Sequence, residues 1–263
     1  MRSDHQAFLL RRQEFSVGLF SATFYAPRLA GEIAAGQFVM LDVARCVRPY
    51  LRRAYSVADA DPAAGEVNFL IKTIGAGTAV LEDLPERAQV RLLGPLGNRF
   101  GVDALASDAR VAVVAGGIGA APFPLLFRSL LARGITGDLF LGGRGERDIA
   151  FRERFLGLVT GDIVLATDDG SAGEQGLVTE VFRRRAARLR YARVFACGPM
   201  PMFAALARIV ADLEVPAEFS TEAEMGCGFG ACLGCVIPGR QKPFIVSCTE
   251  GPILAPEKIA WEK

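Results

Sequence analysis

Short apolar runs alternate with helical stretches four times between residues 104 and 220, and this alternation restricts the possible folds more than any other feature. The predicted strands cover residues 110–114, 138–141, 162–167 and 193–196. The predicted helices lie at about 122–133, 151–158, 176–188 and 199–213. Strands that alternate with helices form an open parallel α/β sheet, because each crossover between parallel strands needs a helix to return the chain.

The two flanking regions have a different texture. Residues 1–103 carry short apolar runs at 8–10, 37–43, 66–72 and 89–93, broken by glycine, proline and charged residues. This spacing predicts an antiparallel barrel or sandwich. Residues 221–263 hold four of the six cysteines and lack strong periodicity, as expected of a small module organised by a cofactor. We therefore divide the chain into three units, 1–103, 104–220 and 221–263.

The charge balance and the apolar runs exclude two classes of partner. Thirty basic residues against 29 acidic ones give a net charge of +1, too little to hold a polyphosphate backbone, so we expect no nucleic-acid partner. The longest uncharged run, 111–127, is shorter than the roughly 20 residues that cross a membrane. The N-terminus lacks the features of a signal peptide. We expect a soluble, cytoplasmic protein that contacts no membrane.

The chain has a single histidine, His5, near a terminus that we expect to be mobile. One histidine does not supply a Ser-His-Asp or Cys-His hydrolase in the usual way, nor a multi-histidine zinc or iron site. Any chemistry must therefore come from carboxylates, thiolates or a bound cofactor.

Four cysteines form the strongest chemical pattern in the sequence. The spacing C-x4-C-x2-C-x12-C, typical of plant-type [2Fe–2S] proteins, is formed by Cys227, Cys232, Cys235 and Cys248. The residues between the first three are small and glycine-rich, so the loop can fold tightly and direct backbone N–H groups at sulfur. A four-cysteine zinc site is the alternative, although zinc ribbons prefer two C-x2-C pairs and only one is present. Cys46 and Cys197 are predicted to be buried structural thiols.

A second motif points to a flavin. The pattern R-x-Y-S of flavin-binding proteins is formed by Arg53, Ala54, Tyr55 and Ser56, after the strand predicted at 37–43. In this pattern the arginine meets a phosphate, the tyrosine packs along the flavin and the serine can hydrogen-bond its edge. A basic residue beside an aromatic on an edge strand is the alternative. The turn Gly75-Ala-Gly77-Thr78 follows the next strand, and its backbone N–H groups can receive a pyrophosphate.

Two turns follow strands of the predicted parallel sheet. Gly117 and Gly119 lie in the turn after strand 110–114, which departs from the G-x-G-x-x-G fingerprint by ending in proline. Cys197, Gly198 and Pro199 follow the last strand. Ligands of α/β sheets bind at the carboxyl ends of the strands, so we predict a nucleotide site there. Purely structural turns are the alternative.

The motifs occur in the order found in the ferredoxin-reductase superfamily, which the chain resembles over essentially its whole length. The string Glu-Met-Gly-Cys-Gly-Phe-Gly-Ala-Cys-Leu-Gly-Cys, with Cys-Thr-Glu-Gly-Pro at 248–252, is similar to the electron-transfer subunits of the bacterial class 1B dihydroorotate dehydrogenase family. The segments 166–171, 176–180 and 196–199 carry the same resemblance. It implies an N-terminal antiparallel flavin-binding β-barrel, an open parallel α/β nucleotide-binding sheet and a small C-terminal [2Fe–2S] module.

The resemblance also implies the cofactors. FAD would lie in unit 1–103, NAD(H) in unit 104–220 and one [2Fe–2S] cluster in unit 221–263. The FAD contacts carried over by motif are Arg53, Ala54, Tyr55, Ser56, Leu70, Ile71, Lys72, Gly77 and Thr78. The NAD(H) contacts predicted from the two turns are Gly117, Gly119, Cys197, Gly198 and Pro199. The implied iron ligands are Cys227, Cys232, Cys235 and Cys248. No residue is predicted to be catalytic, since the cofactors carry the chemistry.

The implied function is electron transfer in pyrimidine biosynthesis. Dihydroorotate would be oxidised on FMN in a partner catalytic subunit, in a complex with two copies of each subunit. Electrons would pass singly through the cluster to FAD, which would give a hydride to NAD+. Two alternatives remain open. The chain could be the nicotinamide-linked reductase of another complex, of hydrogenase, sulfur reductase or oxygenase type, or a zinc-stapled binding protein without flavin.

Two further features concern the surface that meets the partner subunit and the choice between NADH and NADPH. The family often has an arginine before the methionine of the cluster loop, whereas this chain has Glu224, a charge reversal that changes the expected partner surface. Arg144 and Arg147 follow the second strand of the nucleotide unit, where arginines can bind the 2′-phosphate of NADPH. A solvated loop is the alternative there, and the resemblance favours NAD(H).

Overall fold

The computed structural model describes residues 2–42 and 51–261. Within these ranges the chain forms two seven-stranded sheets and a two-stranded hairpin. None of the helices in these ranges is both long and apolar enough to span a bilayer. Cys46, predicted to be a buried thiol, and Val43, the last residue of a predicted strand, lie outside the described residues.

The first sheet is antiparallel throughout. Its strands are β1 (Ser3–Ser16), β2 (Leu19–Tyr25), β3 (Phe38–Asp42), β4 (Arg53–Ser56), β5 (Asp59–Asp61), β6 (Glu66–Lys72) and β7 (Gln89–Leu96). They pair in the order β4-β3-β7-β1-β2-β6-β5, and β4 also contacts β6, so the sheet curls into a barrel-like shape. Alternate residues of β7 are buried, which is the pattern of a strand with one face in the core. The predicted antiparallel barrel is confirmed; two short helices, α1 (Pro27–Glu32) and α2 (Ala76–Glu82), were not predicted.

His5 is buried, so the prediction of a mobile N-terminus was wrong. It lies in β1 opposite Leu92 of β7 and is 7% exposed. Its Nε2 atom lies within hydrogen-bond distance of the Gly94 carbonyl oxygen (3.1 Å) and of Ser3 Oγ (2.9 Å). A terminal segment that pairs as a strand is held by its ladder of backbone hydrogen bonds, and this pairing depends on residues about 90 positions away.

The second sheet is parallel over six strands. They are β8 (Arg110–Gly116), β9 (Thr136–Gly143), β10 (Ile163–Thr167), β11 (Glu174–Gln175), β12 (Arg193–Cys197) and β13 (Ala217–Ser220), in the order β11-β10-β9-β8-β12-β13. The helices are α3 (Phe123–Ala132), α4 (Val178–Ala186) and α5 (Met200–Asp212). The parallel α/β sheet is confirmed. Residues 111–115 of the central strand β8 are fully buried, as a parallel strand covered by helices on both faces requires.

The helix predicted at 151–158 was wrong. The chain there forms 3-10 turns over Glu146–Phe155, interrupted at Ile149, which has φ −121° and ψ 20°. Phe151 and Phe155 have helical spacing, are buried and contact each other, but each also packs on a different element, Phe151 on Phe15 of the barrel and Phe155 on Phe127 of α3. Contacts with two different elements therefore override the local helical pattern.

The C-terminal residues form a hairpin and join the second sheet. The hairpin consists of β14 (Val236–Pro238) and β15 (Phe244–Val246); α6 (Ser247–Glu250) and β16 (Ile253–Leu254) follow. Strand β16 pairs antiparallel with β13, so it becomes the seventh strand of the α/β sheet. Cys235 and Cys248 pack on Phe38 and Met40 of β3. The cysteine-bearing segment thus contacts both sheets.

A buried ion pair anchors one side of the parallel sheet. Asp138 in β9 is 1% exposed and accepts two hydrogen bonds from Arg110 in β8, from Nε to Oδ2 at 2.8 Å and from Nη2 to Oδ1 at 2.7 Å. The Tyr191 hydroxyl donates to Asp138 Oδ2 at 2.8 Å, and the Asp162 backbone N–H donates to Oδ1 at 2.8 Å. Burial and this hydrogen bond raise the pKa of the Tyr191 phenol, which therefore stays a donor.

The substitution Tyr191→Phe is expected to lower the free energy of unfolding by about 1.5–3 kcal/mol, the usual value of a hydrogen bond to a charged group. Denaturation in urea, followed by circular dichroism, measures the difference. Tyr25→Phe is the matched control, because Tyr25 is exposed and its variant should unfold like the parent chain. Equal midpoints for the two variants would contradict a stabilising role for the Tyr191 hydroxyl.

Candidate cofactor sites

The four cysteines of the pattern form two pairs. Cys232 donates its backbone N–H to Cys227 Sγ at 3.5 Å, and its thiol also hydrogen-bonds Cys227. Cys248 donates its backbone N–H to Cys235 Sγ at 3.4 Å, and the two side chains also hydrogen-bond. The first pair faces solvent, with Cys232 exposed, whereas both members of the second pair are buried.

The surroundings of Cys227 and Cys248 shift the pKa values of these two thiols in opposite directions. Burial alone would raise the pKa of Cys227, but the backbone N–H groups of Cys232 and Phe229 lower it to about 6. Burial raises the pKa of Cys248 to about 12, and the neighbouring Cys235 adds to this rise. A loop that directs N–H groups at sulfur was predicted, and Cys227 receives them from both Phe229 and Cys232 at 3.5 Å.

This arrangement fits a binuclear cluster better than a single ion. Each iron of a [2Fe–2S] cluster needs two protein thiolates, which is what two neighbouring pairs offer. Gly228 and Gly230 have φ of +79° and +90°, so the loop between the first two cysteines needs glycine at these turns.

Arg53 lies against the first turn of α2. A Cβ atom on Gly77 would stand 2.5 Å from Arg53 Nε, so only glycine allows this approach. The guanidinium donates to the Leu51 carbonyl oxygen, and among the residues that the structure describes it forms no ion pair with a carboxylate. Thr78 Oγ1 accepts hydrogen bonds from the N–H groups of Ile74 (2.9 Å) and Gly75 (3.1 Å), which orders the turn. A positive charge thus lies beside an ordered glycine turn.

Tyr55 has a buried hydroxyl without a hydrogen-bond partner among the described residues. Its ring meets Phe69 edge to face at 6.2 Å, and burial raises its pKa to about 12, so the hydroxyl stays neutral. Buried hydroxyls normally have a hydrogen-bond partner. The unpartnered Tyr55 hydroxyl, in a predicted cofactor motif, therefore fits a contact with a bound flavin. Ala54 and Ser56 flank Tyr55 on β4.

The three predicted FAD contacts on β6 have different surroundings. Leu70 and Ile71 lie in the barrel core. Lys72, at the end of the strand, donates to Asp148 Oδ1 of the α/β unit at 2.9 Å. These three residues remain predicted contacts.

A cleft of about 510 Å³ opens at the carboxyl ends of β8, β9, β10 and β12. The predicted residues that line it are Gly117, Gly119, Gly198 and Pro199. Two backbone turns meet tightly in its wall, because a Cβ atom on Gly119 would stand 2.5 Å from the Cys197 carbonyl oxygen. The Cys197 side chain is buried, as predicted for a structural thiol, and burial raises its pKa. Its backbone, rather than its sulfur, shapes the cleft.

Sequence reasoning missed two acidic residues of the cleft, Asp148 and Glu222. Asp148 receives hydrogen bonds from Arg144 (Nε to Oδ2, 2.9 Å) and from Lys72, and these partners hold the pKa of its carboxyl well below its usual range. Asp168 and Glu222 also line the cleft. The four-residue spacing of Arg144 and Asp148 was a readable signal for their pairing. The contacts of Lys72 and Glu222 were not readable, because they come from distant parts of the chain.

Three protein families match the chain in succession. Residues 10–100 match the oxidoreductase FAD-binding domain, residues 113–208 the oxidoreductase NAD-binding domain, and residues 222–260 the iron–sulfur cluster binding domain of dihydroorotate dehydrogenase B. These matches confirm the predicted cofactors, which are FAD, NAD(H) and an iron–sulfur cluster.

Curated relatives cover most of the chain. The dihydroorotate dehydrogenase B (NAD(+)) electron transfer subunit of Geobacillus kaustophilus is 38% identical over 220 residues, 83% of either chain. The subunit of the same name from Desulforamulus reducens is 35% identical over 242 residues, 91% of either chain.

Among solved structures, the NADH-dependent reduced ferredoxin-NADP oxidoreductase, described in a study of flavin-based electron bifurcation, superimposes with a TM-score of 0.82 at 23% identity. The superposition covers 97% of this chain and 89% of the oxidoreductase chain. The ferredoxin reductase of carbazole 1,9a-dioxygenase superimposes with a TM-score of 0.67 at 23% identity, and the superposition covers 83% of this chain and 69% of the reductase chain. These two likenesses establish the fold. Taken with the family matches and the curated relatives, they show that the chain belongs to the family of electron transfer subunits of dihydroorotate dehydrogenase B.

Proposed function

We propose that this chain transfers electrons between NAD(H) and a catalytic partner subunit that oxidises dihydroorotate on FMN, by way of FAD and a [2Fe–2S] cluster. The relatives are named as electron transfer subunits of a dihydroorotate dehydrogenase, which implies the partner. The complex contains two copies of each subunit and works in the cytoplasm. The three units, 1–103 for FAD, 104–220 for NAD(H) and 221–263 for the cluster, supply the three cofactor sites.

The observation that carries this proposal is the position of β3. On one side this strand pairs with β4, which bears the flavin motif: Met40 lies opposite Ala54 and Phe38 opposite Ser56. Phe38 and Met40 also pack on Cys235 and Cys248. Neighbouring strands lie about 4.8 Å apart, so one strand separates the flavin motif from the buried cysteine pair. A short path of this kind suits electron transfer.

Each group would be held by residues already brought together. Iron would be ligated by Cys227, Cys232, Cys235 and Cys248. FAD would be bound by the β4 motif and the turn at 75–78, with Leu70, Ile71 and Lys72 behind them. When bound, FAD and the cluster supply the exchange between hydride and single-electron transfer, which side chains cannot perform.

The chain's own residues would bind and orient FAD and the nicotinamide nucleotide. Arg53 places a positive charge where a phosphate would lie, and the glycine at position 77 keeps that approach open. The Tyr55 hydroxyl offers a neutral hydrogen-bonding group to the flavin. Gly119 and Gly198 allow the nicotinamide nucleotide to approach the backbone of the cleft. None of these tasks needs a general acid or base.

The charges of the cleft support NAD(H) over NADPH. Arg144, the candidate for a 2′-phosphate, is already paired with Asp148. Asp168 lines the same cleft, and an acidic residue suits a free ribose hydroxyl better than a phosphate.

Spectroscopy of the purified protein tests the proposal. We expect flavin absorption and two irons with two labile sulfides per chain, and bleaching under anaerobic conditions by NADH in preference to NADPH. Mixing with the FMN-containing catalytic subunit should then allow dihydroorotate to bleach both centres. A colourless protein that retains one zinc would contradict the redox function. Reduction by NADH without transfer from the catalytic subunit would favour another complex.

Arg53→Ala is expected to weaken FAD binding about tenfold to a hundredfold, because charge-assisted hydrogen bonds contribute about 1.5–3 kcal/mol. Titration of the FAD-stripped protein, followed by quenching of flavin fluorescence, measures the Kd. Arg183→Ala serves as control, since Arg183 is exposed on α4 and paired with Glu180. If both variants bind FAD like the parent, Arg53 has no role in the flavin site.

A further inference from the structure

Three buried side-chain atoms have no hydrogen-bond partner among the described residues: Tyr55 Oη, Arg193 Nε and Ser247 Oγ. Arg193 still donates from Nη1, to the Gly101 carbonyl oxygen at 2.9 Å and to Glu218 Oε1 at 2.7 Å. Tyr55 belongs to the flavin motif. Ser247 is different, because its side chain has only one polar atom and the residue is 0% exposed.

Ser247 adjoins both members of the buried cysteine pair through its backbone. It is the first residue of α6, directly before Cys248. Its backbone N–H donates to the Cys235 carbonyl oxygen at 2.8 Å. The residue is therefore fixed to one predicted iron ligand by a peptide bond and to another by a hydrogen bond. A loaded site would add sulfur acceptors at both of these cysteines.

Other hydroxyls of the same region are satisfied by the protein. Thr221 Oγ1 donates to the Pro252 carbonyl oxygen at 2.8 Å, and Thr249 Oγ1 donates to the Val246 carbonyl oxygen at 3.3 Å. Leaving a buried hydroxyl without a partner is costly, and native structures rarely do so. The Ser247 hydroxyl, without a partner among the described residues, therefore points to an acceptor that those residues do not supply.

We propose that the Ser247 hydroxyl donates a hydrogen bond to a sulfur of the [2Fe–2S] site and thereby raises its reduction potential; this inference rests on the proposed function. Reduction adds a negative charge to the site. A buried donor stabilises the more negative state, and hydrogen bonds to sulfur are a recognised means of setting the potential of such clusters.

The two pairs then receive different donors. Cys227, in the pair that faces solvent, accepts N–H groups from Phe229 and Cys232. Cys235, in the buried pair, accepts the N–H of Cys248. Ser247 is 0% exposed, so its hydroxyl is a buried donor on that side. It is a positioning residue and not a ligand.

A redox titration of the complete, cofactor-loaded protein, followed by electron paramagnetic resonance, tests the proposal. Ser247→Ala should lower the equilibrium constant for reduction of the cluster about tenfold. For a one-electron couple, this makes the midpoint potential about 59 mV more negative. Ser247→Thr, which keeps the hydroxyl, should stay close to the parent. Ser247→Val has the shape of threonine without the donor and should follow alanine.

Thr249→Val is the matched control. It removes a hydroxyl one residue beyond Cys248 that is already bonded to the backbone, and it keeps the methyl group that lies against Gly230. Its potential should equal that of the parent. A second readout is the hyperfine coupling of an exchangeable proton to the reduced cluster, which Ser247→Ala should remove.

The outcomes are distinct. Equal potentials in the parent and Ser247→Ala, with unchanged iron content, would overturn the proposal. A Ser247→Val potential equal to that of Ser247→Thr would do the same. Loss of iron in all three Ser247 variants would also overturn it, since the residue would then serve assembly and not potential. A parent protein without iron would instead refute the proposed function.

Discussion

Cys235→Ala is expected to abolish the iron–sulfur site, with iron content falling from two per chain to none. Cys235 is 1% exposed and belongs to the buried pair, so no water or neighbouring side chain can replace its thiolate. FAD should stay bound, because the flavin motif lies on β4, across β3 from the cysteines. NADH should therefore still bleach the flavin, while electron transfer to one-electron acceptors through the cluster is lost.

Iron and sulfide analysis, together with the anaerobic spectrum, measures this loss. Cys197→Ala is the matched control, since it removes an equally buried thiol outside the pattern and should keep both irons. A Cys235→Ala protein with an unchanged cluster spectrum would remove the cysteine from the ligand set. Loss of iron from both variants would indicate a general effect on the fold.

Gly119→Ala is expected to slow reduction of the flavin by NADH at least about a hundredfold. The new Cβ atom would stand 2.5 Å from the Cys197 carbonyl oxygen and 2.8 Å from Gly198 Cα, so two backbone turns of the cleft must move apart. Both turns line the nucleotide cleft, and a displacement of about 1 Å between reacting groups can cost that factor.

Stopped-flow absorbance after mixing with NADH gives the rate. Gly31→Ala is the control, because its Cβ atom would meet nothing within 4 Å and the parent rate should persist. FAD and iron content should be unchanged in both variants, which separates a local effect on the cleft from a loss of folding. A parent-like rate for Gly119→Ala would mean that this turn does not position the nucleotide.

Much of the fold was predictable from local patterns. Four strands of the α/β unit were found because each is a continuous apolar run, and β6 was predicted with its observed bounds, Glu66–Lys72. Strand β13 was missed because its four residues are too short to show a period. The segment 151–158 was misread as a helix because Phe151 and Phe155 keep helical spacing while packing on two different elements.

The candidate sites divide in the same way. Motifs within a few residues of one another, such as the R-x-Y-S pattern and the cysteine spacing, were readable because the chemistry requires that spacing. Lys72, Asp148 and Glu222 meet at one cleft although some 150 residues separate the first from the last. No periodicity links them, so Asp148 and Glu222 could not be assigned, and Lys72 was predicted only as an FAD contact.

The sequence by itself determined which chemical groups this protein can hold. Spacing within single turns and strands selected a flavin motif, glycine turns and four thiols, since these are local geometric requirements. Only the tertiary structure decided which of these segments lie next to one another. It placed β3 between the flavin motif and the cysteines, joined β16 to the α/β sheet and buried Ser247 beside two predicted ligands. Such contacts depend on packing between distant segments, which local spacing does not encode.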